Sequence, residues 1–259
     1  MKAKKSISSQ DLACFFKDCA PVVPVADSKA KSSTRNRFPP SEELESFFSD
    51  LDFRLEIQRK TELQTNRYLA GKFSVFPFIE PDENKLSRIL AMLLDPRGAH
   101  GQQELFLKLF VAGLKRNSET NLQNAKVVQE AITSNLSRNR RIDILVTTGI
   151  FALAIENKVE SDEQEDQLKD YHEHLKKLNK EDYCLVFLTP ARRELISIPD
   201  EMASTLRKKK NLIEMTYREI REWLEECRRW CEAEKMRQFL ADFIQYVDLH
   251  LLRDKPEAE

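Results

Sequence analysis

The stretch Arg141–Lys158, RIDILVTTGIFALAIENK, decides how the rest of the chain is read. Ile142–Thr147 and Ile150–Ile155 are short apolar runs rich in branched residues, the composition of strands. Thr148-Gly149 between them supplies a turn, because glycine tolerates positive φ. The segment therefore folds as an antiparallel hairpin centred near Gly149. Asp143 then faces Ile155 or Glu156, depending on register, and directly opposed Cβ atoms are only ~5 Å apart. Glu156 and Lys158 are two apart and share a face, while Asn157 points to the other. Two carboxylates and one ammonium meet at a strand end, a donor set able to hold a divalent cation and its attacking water.

Upstream of the hairpin, Lys126–Ile132 reads as a strand carrying Glu130, followed by a basic turn with Arg138, Arg140 and Arg141. Before it come two helices. Glu83–Leu94 buries Leu86, Ile89, Leu90, Leu93 and Leu94 and ends at Asp95-Pro96-Arg97-Gly98. Gln102–Leu114 turns Leu105, Phe106, Leu109 and Phe110 inward. Downstream, Asp162–Leu178 reads as a charged helix with Leu168, Tyr171, Leu175 and Leu178 inside. Tyr183–Leu188 and Asn211–Met215 read as strands. Thr216 and Glu219 have capping-box spacing and open a long C-terminal helix with a break near Glu232. A helical crossover between the second hairpin strand and Tyr183–Leu188 makes that pair parallel. The fold class is therefore α/β, a mixed sheet flanked by helices.

The ends differ from this core. Residues 1–40 lack periodicity and are rich in Pro, Ser, Lys and Ala, as in a flexible tail or linker. Residues 41–70 form a helical arm opened by Ser41, with Leu44, Phe47, Phe48, Leu51 and Leu55 at helical spacing. The core spans 71–215, and 216–259 is a C-terminal helical extension.

Hydrophobic residues at 41% allow a sizeable core, and 33% charged residues with only 5 glycines favour helices with solvated faces. No apolar run approaches the ~20 residues that span a bilayer. Lys17 and Asp18 interrupt the N-terminal region, so no signal peptide is expected. The five cysteines lack zinc-ligand spacing and read as reduced thiols of a cytoplasmic protein. A net charge of −1 gives no global attraction to nucleic acid, so any such surface is a local patch.

Arg-Ile-Asp-Ile, then 12 residues between Asp143 and Glu156, then Glu-Asn-Lys, resembles the PD-(D/E)xK nuclease superfamily, whose core is restriction-endonuclease-like. Gln167-Leu168-Lys169-Asp170-Tyr171 resembles the Gln-x-x-x-Tyr element of its RecB-like branch. Glu83-x-x-x-Ser87 through Leu93-Leu94-Asp95-Pro96 and His100-Gly101 is similar to the opening helix of one subfamily, some of whose members sit near mobile elements or defence genes. The likeness covers roughly residues 70–190. Ile142 stands where the family has proline.

The resemblance implies a metal-dependent hydrolysis of phosphodiesters, with DNA the substrate most of the superfamily cuts. Asp143 and Glu156 hold Mg²⁺, with Mn²⁺ as a substitute, and the backbone carbonyl of Asn157 completes the protein ligands. Lys158 polarises the attacking water. Gln167 and Tyr171 hold the substrate phosphate or brace Lys158, against the plainer reading of ordinary packing. Glu83 is an extra acid by the metal, or simply suits the start of its helix. Arg138, Arg140 and Arg141 are the candidate contacts to the nucleic-acid backbone. His100 reads as a turn histidine rather than a phosphate contact. Competing classes are a non-catalytic nucleic-acid-binding or regulatory module and an RNA nuclease. The terminal helices offer surfaces for a homodimer or a protein partner.

Overall fold

The computed structural model describes residues 41–70, 73–115, 121–133, 140–178, 180 and 182–252. The tail expected over 1–40 and the candidate contact Arg138 lie outside the described residues. The chain divides into two compact units, one ending at Gly71 and the other beginning at Lys72. In the first, helix α1 (Ser41–Leu69) runs as one piece, with Phe47, Phe53, Ile57 and Leu63 exposed along it.

The second unit contains the sheet. In chain order it comprises the one-turn helix α2 (Phe76–Ile79), α3 (Glu83–Leu94), α4 (Leu105–Gly113), strands β1 (Lys126–Ile132), β2 (Arg141–Thr147) and β3 (Phe151–Asn157), α5 (Gln167–Lys177), β4 (Asp182–Thr189), α6 (Asp200–Lys208), β5 (Leu212–Thr216), α7 (Tyr217–Trp230), α8 (Glu234–Tyr246) and a π-helical turn, Val247–Leu251. The five strands follow one another in sheet order. β1–β2–β3 are antiparallel and β3–β4–β5 parallel, so the chain changes from hairpins to helical crossovers at β3. All seven residues of β3 are buried, which fits a central strand covered on both faces.

One face of the sheet (Ile144, Val146, Leu153, Ile155, Val186, Leu188) packs on α3, α4, α7 and α8. The other (Leu145, Ala152, Ala154, Leu185, Phe187) packs on α5 and α6. The α/β architecture read from the sequence is the observed one, and the break expected near Glu232 falls between α7 and α8. Thr216 and Glu219 form the expected capping box. Among the described residues no helix is long and apolar enough to cross a membrane.

Three local expectations are corrected. Gly149 does not adopt a left-handed backbone. The turn is held instead by Thr148, whose Oγ1 accepts from the amides of Ile150 (3.4 Å) and Phe151 (3.0 Å). α5 begins at Gln167 rather than Asp162, because residues 163–166 are fastened elsewhere. Glu163 accepts from Ser197 N at 3.1 Å, Arg140 donates to Gln164 and to the carbonyl of Glu165, and Asp166 turns left-handed at φ 55°. α6 was not expected at all; only Ala203 and Leu206 of its nine residues are buried, too sparse a stripe to read as periodic.

Candidate active site

The register Ile144↔Ile155 continues to Asp143 opposite Glu156, which resolves the alternative left open by the sequence. Both carboxylates lie on the α5 side of the sheet, with the strand-end lysine beyond them. Lys158 Nζ sits 3.1 Å from Glu156 Oε1 and 3.4 Å from Glu83 Oε1. The triad predicted from spacing is therefore brought together, and Glu83 joins it from the start of α3. The cap of that helix is Asp82, which accepts from Lys85 N at 2.7 Å. Glu83 is thus free to turn towards Lys158, and it also accepts from Val159 N and Ser161 Oγ.

Each carboxylate is positioned by one oxygen. Asp143 Oδ2 accepts from the Asn157 amide at 2.8 Å. Glu156 Oε1 accepts from Gln167 Nε2 at 2.6 Å, while Glu156 Oε2 is buried with no hydrogen-bond partner. Gln167 Nε2 also reaches Tyr171 Oη, which donates to the carbonyl of Arg141 at 2.5 Å. Gln167 and Tyr171 are both buried, so neither offers a surface to a phosphate, and the carboxylate they brace is Glu156 rather than Lys158.

The electrostatics follow from burial. Glu156 is 1% exposed. Its carboxyl is pushed up to about 8 by burial and then by the neighbouring Asp143 charge, against the pull of Lys158. Asp143 is pushed up to about 6, again chiefly by burial. Burial acts to lower Lys158, but Glu156 and Glu83 outweigh it, so its ammonium is held above the ordinary lysine range. Burial likewise acts to raise Glu83, but Ser161, the Val159 amide and Lys158 outweigh it and keep it ionised. A buried and a half-buried carboxylate facing one another lack enough positive charge between them. One carries an oxygen without a partner. The residues present therefore fit a divalent cation held by hard oxygen ligands.

Asn157 lies on the opposite face, as alternation requires, and is fully buried. Its Nδ2 donates to Ser87 Oγ at 3.1 Å and to the carbonyl of Glu83 at 3.3 Å, and its Oδ1 accepts from Tyr217 Oη at 2.9 Å. It ties β3 to both α3 and α7. Ser161 and Tyr217 were not singled out from the sequence, which carries no local signal for either.

The basic residues separate. Arg140, a candidate backbone contact, is instead a buried brace: its Nε pairs with Asp170 at 3.2 Å and the rest of its guanidinium holds Gln164 and Glu165. Arg141 is more than half exposed and pairs with Glu130 at 3.2 Å. Glu130 sits between the pairs Gln129↔Ile144 and Ala131↔Ile142, but its backbone is left-handed at φ 47° and its side chain meets Arg141 rather than the carboxylate pair. His100 is a buried turn histidine, its Nε2 at 2.8 Å from Asp95 O and its Nδ1 accepting from Gln102 N.

A mixed sheet that delivers Asp, Glu and Lys from two adjacent strand ends, with a glutamate from the preceding helix, defines a restriction-endonuclease-like site. The family model of the PD-(D/E)XK nuclease superfamily matches residues 73–245, about two thirds of the chain. The chain belongs to this superfamily. Neither a curated protein nor a solved structure matches it.

Proposed function

We propose that the protein is a Mg²⁺-dependent deoxyribonuclease that hydrolyses phosphodiester bonds at Asp143, Glu156 and Lys158. The observation that carries this reading is the charge-deficient pair of buried Glu156 and half-buried Asp143 beside an ammonium, with Glu156 Oε2 left without a partner. Asn157 N holds one Asp143 oxygen, and Gln167 with Lys158 holds one Glu156 oxygen. The remaining oxygens, Asp143 Oδ1 and Glu156 Oε2, are the ones for the cation, with the Asn157 carbonyl as a third ligand. Mg²⁺ bound there would lower the pKa of a coordinated water and offset phosphate charge. Lys158, kept charged by Glu156 and Glu83, orients the water and donates to the phosphate as charge develops. Gln167 and Tyr171 are positioning residues acting through Glu156. DNA is favoured over RNA by what the superfamily mostly cuts. A cytoplasmic setting accords with the free, buried Cys227 and Cys231.

The test is cleavage of plasmid and linear DNA, with RNA in parallel, under Mg²⁺, Mn²⁺ or EDTA, for the wild type, Asp143→Ala and Lys158→Ala. Metal-dependent cutting lost in both variants is expected. No cutting by the wild type, or equal cutting by the variants, overturns the assignment.

A further inference from the structure

A cleft of about 1040 Å³ lies at the carboxyl ends of the three parallel strands, bounded by Val159 after β3, Pro190 after β4 and Thr216 at the end of β5. Ligands of open α/β sheets collect at such ends. Its volume is at the top of the ~300–1,000 Å³ usual for small-molecule sites. It shares Glu83 with the Lys158 site, so one wall of the cleft is part of the catalytic end.

Three arginines line it. Arg192 and Arg218 are exposed and make no ion pair among the described residues. Arg193 is anchored: both Nη atoms donate to the Ser161 carbonyl at 3.3 Å, and its guanidinium lies 5.2 Å from the Phe187 ring centre. Its Nε is buried without a hydrogen-bond partner. Ser161 Oγ in turn touches both Glu83 and Lys158, so Arg193 is one residue removed from the catalytic ammonium. Of the acids around the cleft, Asp82 caps α3, Glu83 is held by Ser161 and Val159, and Glu219 closes its capping box. Glu160 alone among them has no partner, so the uncommitted charge is positive.

The far wall is aromatic. His250 is exposed and stacks on Tyr246, with ring centres 4.7 Å apart and planes at 26°. The π-helical turn Val247–Leu251, closed by Leu252 N donating to Val247 O, carries His250 at this position. Such wide turns recur at functional sites. Between arginines and rings the lining is apolar, with Pro190, Ala191, Leu251 and Leu252.

Arginines, a stacked ring pair and an apolar floor match a strand whose bases are unpaired, because bases stack on rings while phosphates meet cations. A duplex keeps its bases inside and offers mainly its backbone to such a surface. We infer that this cleft binds single-stranded nucleic acid, with Arg192, Arg193 and Arg218 on its phosphates and the Tyr246–His250 stack on a base, and delivers it to Lys158. The delivery step rests on the nuclease reading; the binding does not.

The test is fluorescence anisotropy of labelled oligo(dT), oligo(U) and a blunt DNA duplex in EDTA, across a salt series, with the wild type, Arg192→Ala/Arg218→Ala and His250→Ala. Circular dichroism melts check that the variants fold. The double variant should bind the single strands at least about tenfold more weakly and lose about 0.7 of salt slope per arginine. His250→Ala should cost at least about fivefold, the low end for loss of one stacked base. The duplex should change less. Whichever of oligo(dT) and oligo(U) shows the larger losses identifies the sugar the cleft takes. Unchanged single-strand affinity and slope in the double variant, or equal losses on duplex and single strand, overturn the inference. Metal-dependent cleavage is measured on the same preparations. Arginine-dependent binding without cleavage by the wild type refutes the nuclease reading and keeps the cleft; cleavage with arginine-independent binding does the reverse.

Discussion

Replacing Glu156 by glutamine should make the metal-free protein more stable, although it removes a carboxylate of the proposed metal site. Glutamine has the shape of the neutral carboxyl. Its amide oxygen can accept from Gln167 as Glu156 Oε1 does. In the native fold the Glu156 carboxyl is pushed from near 4.5 up to about 8. A group whose proton binds more tightly in the folded state destabilises the fold when it ionises. Below about pH 4.5 both states are protonated and nothing is lost. As pH rises towards about 8 the penalty grows, and above that it is complete. At about 1.4 kcal/mol per tenfold change in proton affinity, the full penalty is on the order of 2–5 kcal/mol, with the attraction of Lys158 already included. The assay is thermal unfolding between about pH 5 and about pH 9, in EDTA and in Mg²⁺ or Mn²⁺. In EDTA the wild type should lose stability over this interval while Glu156→Gln loses less, because Asp143 remains. Near pH 8 the variant should melt at least about 5 °C higher, given ~2–4 °C per kcal/mol for a domain of this size. A divalent cation should raise the wild type and leave the variant nearly unmoved. A wild-type profile that stays flat in EDTA, or a variant no more stable than wild type near pH 8, refutes the reasoning.

Lys158→Met should reduce cleavage by at least about a hundredfold, since it removes the charge that meets the transition state, while cation-induced stabilisation persists in melting experiments because both carboxylates remain. Asn157→Ala removes the acceptor of the buried Tyr217 hydroxyl and a donor to Ser87 Oγ, which keeps its bond to the Glu83 carbonyl; unfolding in urea should show a loss of about 1–3 kcal/mol, with cleavage reduced as Asp143 loosens. Arg140→Ala removes a buried ion pair to Asp170 together with the bonds to Gln164 and Glu165 and should cost at least about 2 kcal/mol, whereas Arg141→Ala breaks an exposed pair worth less than about 1 kcal/mol. Equal losses for the two arginines in the same urea titration would contradict the buried-brace assignment.

What was legible in the sequence was whatever is local. The hairpin strands announce themselves by short runs of branched residues, and Asp143, Glu156 and Lys158 are joined by one turn and a two-residue step. Gln167 and Tyr171 share a face because they are one helical turn apart, so their meeting was readable; that they hold Glu156 rather than Lys158 depended on where α5 docks. Tyr217 reaches Asn157 across 60 residues, and Glu83 reaches Ser161 across 78. No periodicity encodes such contacts. Arg140 and Arg141 look equivalent in sequence, yet strand alternation turns one inward to Asp170 and the other outward to Glu130. The cleft arginines carry no local signal for a related reason: Arg192 and Arg193 follow β4 while Arg218 opens α7, and only the order of the parallel strands gathers them.

Glu156 and Asn157, which end β3, and Lys158 just after it show why the acid–x–lysine spacing suits the proposed chemistry. A strand alternates, so Glu156 and Lys158 share the charged face and Asn157 must point away from it. The charged face is poorly compensated: its carboxylates are driven towards protonation and one oxygen has no partner. On the proposed function that deficit would give a cation its affinity, and it weakens the metal-free fold. The intervening residue supplies the opposite contribution. Asn157 makes three side-chain hydrogen bonds to α3 and α7, each worth about 1 kcal/mol, and its backbone amide orients Asp143. Stabilisation and electrostatic deficit therefore occupy opposite faces of the same three residues. Strengthening the Asn157 side should raise stability without touching cation affinity, whereas neutralising the Glu156 side cannot raise one without losing the other.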